Sequence, residues 1–210
     1  MRNGANEGLV ITISGPHGTG KSTCAKALAE ALKLKYVSAG GLFRELAKER
    51  KMTLEAFSRL AEEDSSVDKM IDERTIAIAE EGGVVIDAQL AAWIVKHLAD
   101  AKILLTAPDD TRFQRIAGRE NISLSAARDQ TLLREEIQKR RYMKYYGIDV
   151  SDLSIYDLKI DTSAPLDQTK ALVIEKVRRF LEERGVKTVN GQNRLHLSIP
   201  QDSSAGNQAK

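Results

Sequence analysis

The chain has 210 residues, 42% hydrophobic and 30% charged, the profile of one soluble globular domain, with or without a tail, and long enough to bury a sizeable core. Its longest apolar runs, such as residues 90–95, stop far short of the roughly 20 residues that a membrane-spanning helix needs. Lys and Arg (32) nearly balance Asp and Glu (30), and a net charge of +2 is too slight to make nucleic acid or an anionic membrane the main partner.

Residues 1–8 are polar and run directly into structure, which does not fit a cleaved signal peptide and points to the cytoplasm. Residues 9–14 are β-branched and apolar, break into a glycine-rich loop at 15–20, and give way to a helix-forming run at 21–34, so the order strand, loop, helix is predicted. Cys24, the single cysteine, excludes an internal disulfide and any multi-cysteine zinc site, and reads as a buried helix thiol. A short second strand is expected at 35–38, a helix from about Leu42, and further helices at 54–61 and 67–80 with an acidic link at 62–64.

Gly82 and Gly83 introduce an apolar strand at 84–87 that ends in Asp87, and residues 90–98 read as a helix. A fourth strand at 101–107 is stopped by Pro108. Two charged helices follow at 109–119 and 125–145, then a strand near 156–160, and last an amphipathic helix carrying Val173, Val177, Phe180 and Leu181 that ends at Gly185. Strands alternating with helices imply an α/β fold with a parallel sheet covered on both faces. From Val186 the chain turns polar, with Leu195, Leu197 and Ile199 alternating as a possible short strand, so 186–210 is expected to be a largely disordered tail.

Gly15-Pro16-His17-Gly18-Thr19-Gly20-Lys21-Ser22 fills every fixed position of the P-loop pattern, and it lies between a predicted strand and a predicted helix as that pattern requires. The glycines let main-chain N–H groups turn inward around phosphate oxygens, and the helix that follows aims its positive end at the same anion. Lys21 supplies a point charge to the β- and γ-phosphates, and Ser22 offers a hydroxyl to Mg²⁺. Asp87 closes an apolar strand, so its carboxylate should emerge at the sheet edge beside this loop as a partner for a Mg²⁺-bound water; the other reading is a carboxylate that caps the helix near Leu90. His17 occupies a variable position of the loop and is not required as a base. A D-x-x-G switch, an Asn-Lys base reader and a Leu-Ser-Gly-Gly signature are all missing, which disfavours G-proteins and transporter-type ATPases.

Between Thr111 and Lys144, nine basic side chains against four acidic ones leave an excess of five positive charges. Arg115 and Arg119 share one helix face, and so do Arg134 and Arg141. Such a cluster suits an anionic phosphate acceptor, whose approach to a γ-phosphoryl group must be screened by guanidinium groups; taken singly, each arginine could equally be a solvated surface charge. Ser38-Ala39-Gly40-Gly41-Leu42-Phe43-Arg44 follows a strand and opens a helix, a place to hold a second phosphate against Arg44 or an ordinary turn with an exposed arginine.

With these residues on view, the chain resembles the nucleoside monophosphate kinases, and among them the archaeal-type cytidylate kinases, over about residues 10–163. The likeness is carried by the P-loop, by Ser38-Ala39-Gly40 with Phe43-Arg44-Glu45-Leu46-Ala47, Ile71-Asp72, Leu90-Ala91 with Trp93, Arg115-Ile116-Ala117-Gly118-Arg119-Glu120, Arg134-Glu135-Glu136 and Arg141-Tyr142, and by Tyr146-Gly147-Ile148-Asp149 with the run 152–158. The resemblance implies a five-stranded parallel sheet in a kinase domain over 1–185, a helical monophosphate-binding insert at about 38–80 and an arginine-bearing lid at about 118–144. It implies transfer of the γ-phosphoryl group of ATP to CMP or dCMP; Mg²⁺ is expected as cofactor, and a monomer in the cytoplasm is expected.

Carried over by motif, ATP would be held by Gly15, Pro16, His17, Gly18, Thr19, Gly20, Lys21, Ser22 and Thr23, with Arg115 against the adenine and Arg119 near the phosphates. Lys21, Arg119, Arg134 and Arg141 would act on the transferring group. The acceptor would be held by Ser38, Gly40, Arg44, Asp72 and Gln89, and the metal by Ser22 and Asp87. The chain departs from the family pattern at Gly41, Thr75 and Gln138, and at Gln89 and Ala92, where the family often has arginine and glycine. Other readings are an adenylate or other small-molecule kinase, or a non-catalytic nucleotide-binding module that controls a partner.

Overall fold

A computed structural model describes residues 8–186; the possible strand at 195–199, and all of the 186–210 tail but its first residue, lie outside the described residues. Five strands and eight helices follow in the order β1 (Val10–Ser14), α1 (Lys21–Leu32), β2 (Lys35–Ser38), α2 (Ala39–Glu49), α3 (Leu54–Glu63), α4 (Ser66–Glu81), β3 (Val84–Asp87), α5 (Ala91–Ile94), β4 (Ala101–Thr106), α6 (Asp109–Glu120), α7 (Leu124–Tyr146), β5 (Leu158–Asp161) and α8 (Leu166–Glu183). The strands form one sheet in the order β2-β3-β1-β4-β5, and every neighbouring pair is parallel. Among the described residues, no helix is long and apolar enough to cross a membrane.

The central strand β1 is buried at every position, because helices cover both faces of the sheet and the usual alternation of apolar and polar residues is lost. On one face Ile11 and Ile13 pack with Cys24, Leu28 and Leu32 of α1 and with Val173, Val177 and Leu181 of α8. On the other face Val10, Val84 and Ile86 meet Ala79 of α4 and Ala91 of α5. A third cluster of Leu46, Phe57, Ala61 and Val67, with Phe43 and Phe57 ring centroids 4.8 Å apart, gives α2, α3 and α4 a core of their own beside the sheet. Each fully buried Leu, Ile or Val contributes about 1.5–3 kcal/mol, so the two sheet faces dominate the stability. Cys24 is buried as expected, and burial raises its thiol to about 11, which leaves it inert.

Several predicted boundaries move, each for a local reason. Helix α2 begins at Ala39, ahead of the expected Leu42, because the Ser38 hydroxyl caps it by accepting the Gly41 N–H at 3.0 Å. Helix α3 runs through Glu63, which shortens the acidic link. The helix expected over 90–98 keeps a single regular stretch, α5, since Val95 leaves helical geometry and its carbonyl takes the N–H groups of Leu98 and Ala99 in a turn that delivers the chain to β4. Strand β5 starts at Leu158, the residue that pairs with Ile103; Tyr156 turns aside to meet Trp93 edge-on at 5.4 Å.

Candidate active site

The register of the sheet assembles the site. Asp87 at the end of β3 lies beside Ile13 of β1 and Ser38 of β2, so the P-loop, the metal candidate and the start of α2 emerge from one carboxyl edge. This is where open α/β sheets bind ligands. A continuous cavity of about 1350 Å³ opens there, and the side chains and loop residues from His17 to Thr23, with Ser38, Gly40, Arg44, Asp72, Asp87, Gln89, Arg115, Arg119, Arg134 and Arg141, all line it. Gly15 and Pro16 stand behind the lining, as the back of the loop.

Two glycines of the loop tolerate no other residue. Gly15 has φ +148°, and a Cβ there would run into the Leu105 carbonyl oxygen; Gly18 has φ +81°, and its Cβ would come within 2.6 Å of the Arg112 main chain. The loop is thus pressed against β4 and α6. Lys21, at the start of α1, donates from Nζ to the Pro16 carbonyl at 2.9 Å. Burial pulls its ammonium pKa down to about 8, against the opposing pull of Asp87 and Glu135.

Asp87 is 6% exposed, and its Oδ2 accepts the Tyr36 hydroxyl at 2.9 Å; burial, and then the Asp87 charge, raise the Tyr36 phenol. The alternative of a helix cap fails, since α5 has no side-chain cap. No three His, Cys, Asp or Glu side chains converge as a metal cage among the described residues. One hydroxyl from Ser22 and one carboxylate from Asp87 are instead the hard, sparse oxygen donors that suit Mg²⁺, which keeps several waters and takes further oxygens from substrate phosphates.

The loop is also held from above, by Glu135 and Arg112, to which the sequence assigned no role of their own. Glu135 of α7 accepts the His17 main-chain N–H at 2.9 Å and lies 3.3 Å from His17 Nδ1. Both of its oxygens face the Arg112 guanidinium, at 3.0–3.3 Å. Arg112 is 4% exposed. Burial alone would raise the Glu135 pKa, yet the hydrogen bonds from His17 and the Arg112 charge hold it below the ordinary range. The available signal was periodicity: Arg112 shares its helix face with Ile116, so a charge stands on the buried stripe of α6 and demands a partner.

Arg115 donates from Nη2 to the carbonyls of Thr162 at 2.6 Å and Ala164 at 3.1 Å, which ties α6 to the loop after β5. Arg119 is exposed and pairs with Glu120 at 2.7 Å. Arg134 is exposed at the cavity mouth. Arg44 extends over Gly40, where an added Cβ would lie 3.6 Å from Arg44 Nη1.

Across the cavity, α4 and α7 face each other. Tyr146 donates to Asp72 Oδ2 at 2.6 Å, and burial pushes the Asp72 carboxyl up to about 6 despite that bond. Arg141 Nε lies 3.6 Å from Asp68 Oδ2. Thr75 and Gln138 also line this wall.

The arrangement can bind a polyphosphate on the loop and bring a second anion toward it from α2, with guanidinium groups at the junction. Comparison with known proteins agrees with this form. The description of the cytidylate kinase-like family matches residues 10–164. The cytidylate kinase of Staphylothermus marinus is 48% identical over 83% of this chain and 99% of its own, and that of Aeropyrum pernix is 49% identical over 80% and 98%. Among solved structures, shikimate kinase from Bacteroides thetaiotaomicron has a TM-score of 0.59 at 14% identity, covering 83% of this chain and 98% of that one. A gluconokinase from Sinorhizobium meliloti 1021 has 0.57 at 14%, covering 86% and 97%. These two share the fold. Matched along most of its length by the family and by its curated relatives, this chain belongs to the cytidylate kinase-like family.

Proposed function

We propose that this protein transfers the γ-phosphoryl group of ATP to CMP or dCMP, giving ADP and the corresponding nucleoside diphosphate. The observation that supports the reading is the continuous cavity that runs from the P-loop to Ser38, Gly40 and Arg44, in a chain of this family.

The P-loop main chain from Gly18 to Ser22 and the start of α1 hold the donor phosphates. Lys21 exchanges its bond to the Pro16 carbonyl for phosphate oxygens. Ser22 and Asp87 would hold Mg²⁺, which would supply positive charge against that developing on the donor phosphates. Arg115 orients the adenine end, and Arg119, Arg134 and Arg141 gather around the transferring group. Arg44 holds the acceptor phosphate, whose oxygen is already anionic and attacks without a general base. Residues 118–144 serve as a lid whose closure keeps water from the γ-phosphoryl group, and 38–80 serve as the monophosphate-binding insert. One chain supplies every one of these groups, so a monomer suffices, and the reaction belongs in the cytoplasm, where ATP and nucleoside monophosphates meet.

ADP production from Mg²⁺-ATP, measured against CMP, dCMP, UMP and AMP with a no-acceptor blank, tests the reading. Turnover dependent on CMP or dCMP and well above the other acceptors is the expected result. Preference for AMP makes the chain an adenylate-type kinase, and ATP binding without any acceptor-dependent turnover makes it a nucleotide-binding module; either overturns the proposal.

A further inference from the structure

Among the described residues, six buried side-chain polar atoms have no hydrogen-bond partner: Thr12 Oγ1, Asp68 Oδ2, Arg112 Nε, Gln138 Oε1, Arg141 Nε and Arg178 Nε. Arg112 and Arg178 satisfy other guanidinium nitrogens on Glu135 and the Ala31 carbonyl. Three of the six, on Asp68, Gln138 and Arg141, belong instead to one wall of the cavity, where α4 faces α7. Asp68 and Asp72 lie one turn apart on α4, and Gln138, Arg141 and Tyr142 share a face of α7. Asp72 is occupied by Tyr146. Asp68 is not occupied in this way: the cation that faces it, Arg141 Nε, stands at 3.6 Å, too far for a hydrogen bond.

Buried polar atoms left without partners are costly, and a built site leaves them so when a ligand completes them. A carboxylate oxygen accepts only, and so does an amide carbonyl oxygen. A group that satisfies both must therefore bring hydrogen-bond donors, N–H or O–H, and a nucleobase brings N–H. The pyrimidine edge that differs between cytosine and uracil carries this distinction, with an exocyclic amine on cytosine and a carbonyl oxygen in the corresponding place on the uracil-type ring. We propose that Asp68, with the carbonyl of Gln138, is the base-reading element of this site, accepting from the cytosine amine and rejecting uracil by setting acceptor against acceptor. The assignment rests on the CMP reading above and names the groups that would enforce it.

Asp68 also joins base recognition to the lid arginine. Its carboxylate is the anion that faces Arg141. When a substrate amine takes that carboxylate, Arg141 is released toward the phosphoryl group; a base without the amine leaves Arg141 held. Discrimination is then expressed in kcat as well as in KM.

The test measures kcat and KM for CMP and for UMP at saturating Mg²⁺-ATP in the wild-type chain, in Asp68→Asn and in Gln138→Leu. A carboxamide at 68 can turn an N–H toward a carbonyl, so D68N is expected to lower the CMP-to-UMP ratio of kcat/KM at least tenfold, in part by raising UMP turnover, with the KM for ATP within twofold of wild type. Q138L is expected to lower the ratio by severalfold, and it decides the matter alone if D68N does not fold. Ratios within twofold of wild type in the folded variants, with CMP turnover intact, overturn the Asp68 assignment and leave the kinase reading standing. Absence of CMP turnover in the wild-type chain overturns both.

Discussion

The two halves of the cavity are built differently. On the donor side the P-loop is held by main-chain geometry and by side-chain bonds: Gly15 and Gly18 admit no side chain, and Glu135 ties the His17 N–H to the Arg112 guanidinium. On the acceptor side, α2, α3 and α4 have a small core of their own, and the wall they turn to α7 keeps polar atoms without partners. A phosphate chain is the same in every nucleotide, so a rigid main-chain cradle serves it. A base must be told from other bases, which takes side chains that wait for the right donors and acceptors.

The largest expected effect tests the donor half. Lys21→Ala should lower kcat/KM for ATP by about 10²–10³-fold, the scale of one lost transition-state cation or donor, with the melting temperature nearly unchanged; a loss smaller than tenfold in steady-state kinetics would mean that the loop, not its lysine, carries the charge. Glu135→Ala should cost stability, about 3 kcal/mol by denaturant titration, because it leaves Arg112 buried without its anion. Replacing both partners by apolar residues, Arg112→Met with Glu135→Leu, should recover much of that stability while ATP binding stays weakened, since the His17 N–H has lost its acceptor.

The acceptor half should respond less, and in the other direction. Gln89 lines the cavity, so Gln89→Arg should lower the KM for CMP about tenfold by one charge-assisted hydrogen bond, roughly 1.5 kcal/mol, and leave the KM for ATP alone. A rise in KM would place the acceptor phosphate elsewhere.

The smallest effects are those of pH, and they separate the halves by the range in which they fall. Lys21 titrates at about 8 in the free protein, and bound phosphates raise it, so ATP affinity should fall as pH rises past 8, with proton uptake on binding seen by calorimetry in buffers of different ionisation heat. Asp72 titrates at about 6 against an ordinary 3.8. The folded state therefore holds its proton to higher pH than the unfolded state does, and the Asp72 contribution to stability declines as pH rises from about 4 to 6. Asp72→Asn should flatten the melting temperature over that interval.

Much of this was legible in the residues. The P-loop pattern placed a phosphate cradle, Lys21 and Ser22 without reference to any fold, since the requirement is local: strand, tight turn and helix start are contiguous. The parallel sheet followed from strands that alternate with helices along the chain. Helix ends were less legible, because a single hydroxyl, that of Ser38, moves the start of α2 ahead of Leu42.

Tertiary structure alone decided which distant residues meet. Glu135 reaches His17 across 118 positions of chain, and Tyr146 reaches Asp72 across 74. Periodicity assigns a residue to a face of its own helix, but the partner depends on how helices pack on one another, and that is settled by the whole core. In sequence Arg112 is one more member of a basic cluster, and in the fold it is a buried structural cation; Asp68 has no motif to mark it and is exceptional only because α7 lies across from it. Local chemistry is written in local sequence; burial and the absence of a partner are properties of the packed chain, and the reading of base and acceptor depends on them.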